Sequence, residues 1–120
     1  MPTFDHDRME VYQLARAFNV RANAITTAVS KGHSDLLDQL RRAGASVALN
    51  IAEGSGEYLP KEKARFYRIA RRSATESAAV LDLLVDLELV PAKEAASAKE
   101  VLARVVGMLV RLIKGIHGAD

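Results

Sequence analysis

Apolar residues recur every three or four positions along four stretches of this chain, with short polar or glycine-containing breaks between them. The first stretch carries Val11, Leu14, Ala15, Phe18, Ala22, Ile25 and Val29. This spacing puts them on one face and predicts a helix over about 7–29. Lys31-Gly32-His33 interrupts it, and Ser34 is expected to cap a second helix over about 34–54, with Asp35 and Asp38 near its positive end. That helix offers Leu36, Leu37, Leu40, Ala43, Val47 and Ile51 to a core and is expected to stop at Gly54. Ala43, Gly44, Ala48 and Ala52 keep it thin. A glycine inside a helix costs about 1 kcal/mol relative to alanine, so Gly44 points to the close approach of a neighbouring backbone.

After Gly54-Ser55-Gly56, Pro60 suits the first turn of a third helix over about 60–88. Its expected core face is Phe66, Ile69, Ala70, Ser73, Ser77, Val80, Leu81, Leu84 and Leu87. Pro91 opens a fourth helix over about 91–116, whose end Gly115 and Gly118 are expected to fray. Strand alternation, tandem repeats and low-complexity tracts are absent from the sequence. Long helices joined by short connections predict a single all-α domain over 1–120, an antiparallel up-down-up-down four-helix bundle.

The fourth helix is wider than one core requires. Val101, Val105, Met108, Leu112 and Ile116 form one row; Leu102, Val106, Leu109 and Ile113 form a second beside it. Together they cover about 160°, against about 100° for a helix that faces only its own bundle. Either the helix is sunk in a deep core, or its second row packs on another copy of the chain. Thin, alanine-rich helices and few aromatics leave a small core, which favours the second reading. A homo-oligomer is therefore expected, with Val101, Val105, Met108, Leu109, Leu112 and Ile113 at its interface.

Polar residues also align. Gln39, Ser46, Asn50 and Glu53 share one flank of the second helix, and Ser73 and Glu76 a similar flank of the third. Polar groups beside a buried seam need partners, so these six are expected to form a network that fixes helix register. A catalytic pair of Glu53 with Glu76 is the competing reading, and no nucleophile, metal cage or substrate pocket in the sequence supports it.

Composition narrows the chemistry. Of 120 residues, 49% are hydrophobic but only 5% aromatic, the mixture a helical bundle uses. No cysteine is present, which excludes disulfides, thiolate metal sites and cysteine nucleophiles and fits a reducing cytoplasm. The polar start from Met1 to Arg8 lacks the charged-then-apolar pattern of a secretory leader, so none is expected, and no apolar run approaches the roughly 20 residues that span a bilayer. His6, His33 and His117 sit near the termini and in one break, without the Glu-x-x-His pairs of bundle-core metal sites. Gly54-Ser55-Gly56 lacks the Lys-Ser/Thr of a phosphate loop. No cofactor is expected, and Tyr12, Tyr58 and Tyr67 are assigned to packing or rims.

Charge is less even than its net of +2 suggests. Lys61, Arg65, Arg68 and Arg72 share an outward face of the third helix, and Arg41 and Arg42 lie on the second. From 41 to 72, eight basic residues face three acidic ones, and the sign reverses at Asp82, Asp86 and Glu88. The basic face has three readings: solvated surface, ion pairs across a subunit boundary, or phosphate binding repeated around an oligomer. Asp5, Asp7 and Glu10 lie at the same end and are candidates to neutralise it. No signature of sequence-specific readout occurs.

Gln39-Leu40-Arg41-Arg42-Ala43, Ser46, Asn50-Ile51-Ala52-Glu53-Gly54, then Phe66, Ala70, Ser73 and Glu76, together resemble the four-helix-bundle proteins encoded in 23S ribosomal RNA intervening sequences. Phe4, Tyr12-Gln13 and Ala15 extend the similarity over nearly the whole chain; Val47 stands where the family often has isoleucine. The resemblance implies an antiparallel bundle assembled as a ring-like homopentamer. It also implies kinship with the accessory variability proteins of diversity-generating retroelements, which are pentameric and bind nucleic acid and a reverse transcriptase. No enzymatic activity comes with it. The expected function is a non-enzymatic cytoplasmic scaffold that holds RNA, DNA or a nucleic-acid enzyme on its basic faces. The alternative is a structural module with a protein partner and no nucleic acid.

Overall fold

The computed structural model describes residues 3–30 and 32–118; Lys31, expected in the first break, and Met1, at the polar start, lie outside the described residues. A 3-10 turn, Asp5–Arg8, leads into helix α1, Glu10–Ala28, followed by α2, Ser34–Ser55, α3, Pro60–Asp86, and α4, Ala92–Gly118. The four helices pack together, and the described residues contain no strand. α1 and α3 each pack on α2 and on α4, while the diagonal pairs α1/α3 and α2/α4 do not approach closely.

The core is mostly aliphatic, filled by Leu40, Val47, Ile51, Leu81, Leu84, Leu102, Val105 and Leu109 around the aromatic ring of Phe18. Each comes from the expected apolar stripes, because only that face of each amphipathic helix can leave water without stranding polar groups. Gly44 is buried against α1, but side chains rather than a neighbouring backbone face it: a Cβ there would lie 3.4 Å from the Phe18 ring and 3.5 Å from the Ala22 Cβ, ordinary van der Waals distances. Lys63 reaches back from α3 to donate to the carbonyl oxygens of Gly54, at 2.9 Å, and Ser55, at 3.0 Å. It caps carbonyls that the end of α2 leaves without helical partners.

Local chemistry moves several boundaries. The first helix starts at Glu10 because Asp7 accepts the Phe4 amide at 2.9 Å and holds Asp5–Arg8 as a separate turn. Ser34 is the first residue of α2 rather than its cap; His33, left-handed at φ 58°, takes the cap position. Gly54 does not stop α2. It is buried inside the helix, and a Cβ there would lie 2.7 Å from Tyr67 Cε1, so glycine serves close packing. α3 ends at Asp86, and Glu88, at φ 59°, occupies a left-handed C-terminal cap. Its amide donates to Val85 and that of Leu89 to Leu84, both at 2.9 Å, closing a Schellman turn. Gly115 and Gly118 both lie within α4.

Two core faces shift as well. At the start of α3, Ala64 and Tyr67 are buried while Phe66 and Ile69 are half-covered, and Leu87 is exposed beyond the helix end. On α4, Val105, Leu109 and Ile113, expected at an interface, are buried in this chain's own core, as is Leu102. Val101, Met108, Leu112 and Ile116 are half-exposed, so the first row, apart from the buried Val105, offers more to a neighbour than the second, where only Val106 is half-exposed. Periodicity defines two adjacent rows but does not say which one points at the partner helices.

Candidate functional site

The basic face is built on α3. Successive turns carry Lys61, Arg65, Arg68 and Arg72 on the side away from the core-facing Ala70, Ser73, Ala74 and Ser77. The stripe is about 16 Å long at 1.5 Å per residue. Arg65 pairs with Glu62 at 2.6 Å and its guanidinium lies 4.6 Å from the Phe66 ring centroid. On α2, Arg41 pairs with Asp38 at 2.8 Å. Both ion pairs are solvent-exposed, worth about 0–1 kcal/mol each, so a phosphate could displace either carboxylate. Among the described residues, Arg42, Lys61, Arg68 and Arg72 have no carboxylate within ion-pair distance.

The helix pairing sets these groups in two clusters. Ser73 lies opposite Ser46, and Glu76 opposite Gln39. Arg41 and Arg42 therefore stand beside the Glu76 turn, about one to two turns along the bundle from Arg72. None of the N-terminal acids Asp5, Asp7 and Glu10 is within ion-pair distance of the stripe. Glu10 bonds Arg104 of α4 at 3.3 Å, and Asp7 is engaged within its own turn. At the far end, Asp82 pairs with Lys99 at 2.6 Å.

Five of the six polar-seam residues find partners within the seam, in two separate groups rather than one network. Ser46 Oγ accepts from Asn50 Nδ2 at 2.9 Å and from Ser73 Oγ at 2.8 Å, while Gln39 donates to Glu76 at 3.3 Å. Glu53 stays apart, exposed, beside a small hollow that it lines with Asp5 and Glu57. Glu53 belongs to the Gly54–Tyr67 level, and Glu76 lies nine residues beyond Tyr67, about 14 Å along α3. A carboxylate pair acting on one substrate needs far closer spacing, so no acid–base pair forms. The described residues hold no cluster of three or more His, Asp or Glu able to bind a metal ion.

Two features escape a reading of periodicity. Tyr67 is buried against Gly54, and burial first, then the negative charge of Asp5, pushes its hydroxyl pKa up. An apolar groove of about 850 Å³ opens between α1, the α2–α3 connection and the last turns of α4. Its walls include Val11, Tyr58, Met108, Leu112 and Ile116, with Arg111 on the rim. The half-exposed row of α4 was the only sequence signal for it.

The fold has a solved counterpart. A Bacteroides thetaiotaomicron VPI-5482 protein of the S23 ribosomal protein family, itself of unknown function, superposes with a TM-score of 0.81 at 21% identity. The match covers 87% of this chain and 98% of that one. No curated protein matches this chain. No helix among the described residues is long and apolar enough to cross a membrane. The family model described as 23S rRNA-intervening sequence protein matches residues 7–111, and this chain belongs to that family.

Proposed function

We propose that this protein is a non-enzymatic, self-assembling scaffold that binds nucleic acid through its α3 basic face without reading sequence. The observation that carries the reading is the row of Lys61, Arg68 and Arg72, joined by Arg65, exposed or half-exposed and short of carboxylate partners. Solvated cations at this spacing gain from phosphate by releasing condensed counterions, and every base sequence offers the same phosphates. The contacts of α2 with α3, Gln39 to Glu76, Ser46 to Ser73 and Gly54 to Tyr67, support an antiparallel up-down-up-down arrangement. Assembly into a ring, a pentamer in this reading, multiplies the basic face and turns weak single contacts into avidity. RNA, DNA or a nucleic-acid enzyme such as a reverse transcriptase is the partner class, and the cytoplasm the setting.

The test is retention on RNA and DNA at low and high salt, with the wild type and an Arg65→Glu/Arg68→Glu/Arg72→Glu triple variant. Salt-sensitive binding that the triple variant loses, with its oligomer intact, supports the reading. No wild-type binding at low salt, or equal binding by the variant, overturns it. The apolar groove favours a second reading, a protein-interaction module without nucleic acid. A protein partner retained after nuclease treatment, with no nucleic-acid binding by the pure chain, would establish that one instead.

A further inference from the structure

We propose that the apolar groove between α1 and α4 is the socket for a second copy of this chain, entered by the outward face of that copy's α2 around Leu49. The inference rests on the self-assembly reading above and specifies its interface. Leu49 is 64% exposed in the middle of a long helix, directly opposite the core-facing Val47 and Ile51, and Ala45 and Ala52 flank it on the same face. Small residues on either side let a neighbouring helix come close while the leucine projects as a knob.

The socket is shaped to receive it. Met108, Leu112 and Ile116 form its floor and the exposed Tyr58 its edge. Gly115 lies in the helix beside them, and a Cβ there would meet nothing within 4 Å. A glycine inside a helix costs about 1 kcal/mol relative to alanine. No described residue packs on it to offset that cost, whereas a helix arriving from outside would use the cleared backbone.

Knob and socket lie on different sides of the same part of the bundle. Lys63, which lines the socket, bonds the Gly54 carbonyl, and Leu49 lies about 8 Å down α2 from Gly54. α2 and α4 are diagonal to one another, so one copy can offer its knob and its socket to two different neighbours. A contact between two unlike surfaces repeats from copy to copy and closes into a ring when the rotation permits.

Charge fixes the pairing. Asp5, Glu53 and Glu57, without ion-pair partners among the described residues, surround the hollow next to the knob. Arg111 on the socket rim and Lys114 one turn on are likewise unpaired. Docking the knob brings that acidic hollow to those cations. It also gives Glu53, left out of the polar seam, a partner.

The experiment is light scattering coupled to gel filtration on the full chain, wild type, Leu49→Glu and Arg111→Glu, alone and mixed. Both positions are exposed, so circular dichroism should report unchanged helicity. The wild type assembles, and each variant alone falls to monomer, its association weakened about tenfold or more. Mixed in equal amounts, the two form a discrete dimer, because the Arg111→Glu copy keeps its knob and the Leu49→Glu copy its socket. A chain carrying Glu53→Arg with Arg111→Glu reassembles. A monomeric wild type overturns the self-assembly reading and this inference together. Variants that keep the wild-type mass, or a mixture that stays monomeric, overturn the interface alone.

Discussion

Ser73 donates its hydroxyl proton to Ser46 Oγ across the α2–α3 interface at 2.8 Å, and Asn50 donates to the same oxygen at 2.9 Å. Ser73 is buried and Ser46 half-buried, so both hydroxyls have left most of their water. Two helices held apart by alanines have little side-chain bulk to set their stagger. A directional bond between two short side chains supplies it. Ser46→Ala and Ser73→Ala should each destabilise by about 1–2 kcal/mol, because each leaves a shielded polar group without its partner. The double variant should cost less than the sum, since removing both ends strands nothing. Urea denaturation of all four proteins measures the coupling; strict additivity would mean that the bond contributes nothing to register.

Gly54 makes a harsher prediction. A Cβ at that position lies 2.7 Å from Tyr67 Cε1, 2.8 Å from Cδ1 and 3.2 Å from Phe66 Cβ. The Tyr67 ring is buried and cannot swing clear without opening the end of the bundle. Gly54→Ala should therefore cost about 1–3 kcal/mol from overpacking, against the gain an alanine normally brings to a helix. Thermal melts should show the loss in Gly54→Ala, and a smaller further change when Tyr67→Ala is added.

The four helices were legible in the sequence because each has one long apolar stripe; Gly44 was legible only in part, since it is buried against α1 but faces side chains there rather than a backbone. The role of Gly54 was not. A glycine followed by Ser55-Gly56 looks the same whether it ends a helix or packs under a ring, and the ring lies thirteen residues away. Tyr67 was assigned to packing or rims, but its place on the core face against Gly54 was missed for a related reason: it is one step off the stripe through Phe66, and α3 turns its buried side at that end to follow α2. The seam partners Ser46 and Ser73 were readable as a polar flank. The isolation of Glu53 was not, because alignment on a flank says nothing about how far the opposite helix extends its own polar row.

Glu88 sits at φ 59° with the Schellman bonds of α3 formed around it. A left-handed conformation costs a residue with a Cβ about 1–2 kcal/mol and costs glycine almost nothing. The Glu88 carboxylate is exposed and makes no ion pair among the described residues. Glu88→Gly should raise stability by about 1 kcal/mol, less the extra freedom glycine gives the unfolded chain. Chemical denaturation that shows a loss instead would mean the side chain holds something more than its backbone position.

Burial raises the Tyr67 pKa above its ordinary value of 10.0. The folded state therefore keeps the phenol proton at a pH where the unfolded chain has begun to release it. Below the unfolded value the contribution is complete; as pH rises past 10.0 and through the higher folded value, it is lost. Stability should fall more steeply above about pH 10 than the exposed charges alone would produce. Tyr67→Phe should flatten that alkaline slope while keeping the ring against Gly54. Urea midpoints from about pH 8 to 11 would decide it, and equal slopes in both proteins would place the alkaline loss elsewhere.

The basic face makes a quantitative prediction about salt. Among the described residues, Arg68 and Arg72 have no carboxylate within ion-pair distance, so each enters a phosphate contact with no such pair to break. Arg65 must first exchange Glu62, its partner at 2.6 Å. Each phosphate contact contributes about −0.9 to the slope of log affinity against log salt on duplex DNA. Arg68→Gln or Arg72→Gln should therefore flatten the slope by about one unit per copy engaged, equally on unrelated sequences. Arg65→Gln should cost less, because the wild-type Arg65 contact already gives up its pair with Glu62. Fluorescence anisotropy on two unrelated duplexes at several salt concentrations tests both points. A slope that does not change in Arg68→Gln or Arg72→Gln would move the nucleic acid to another face of the bundle.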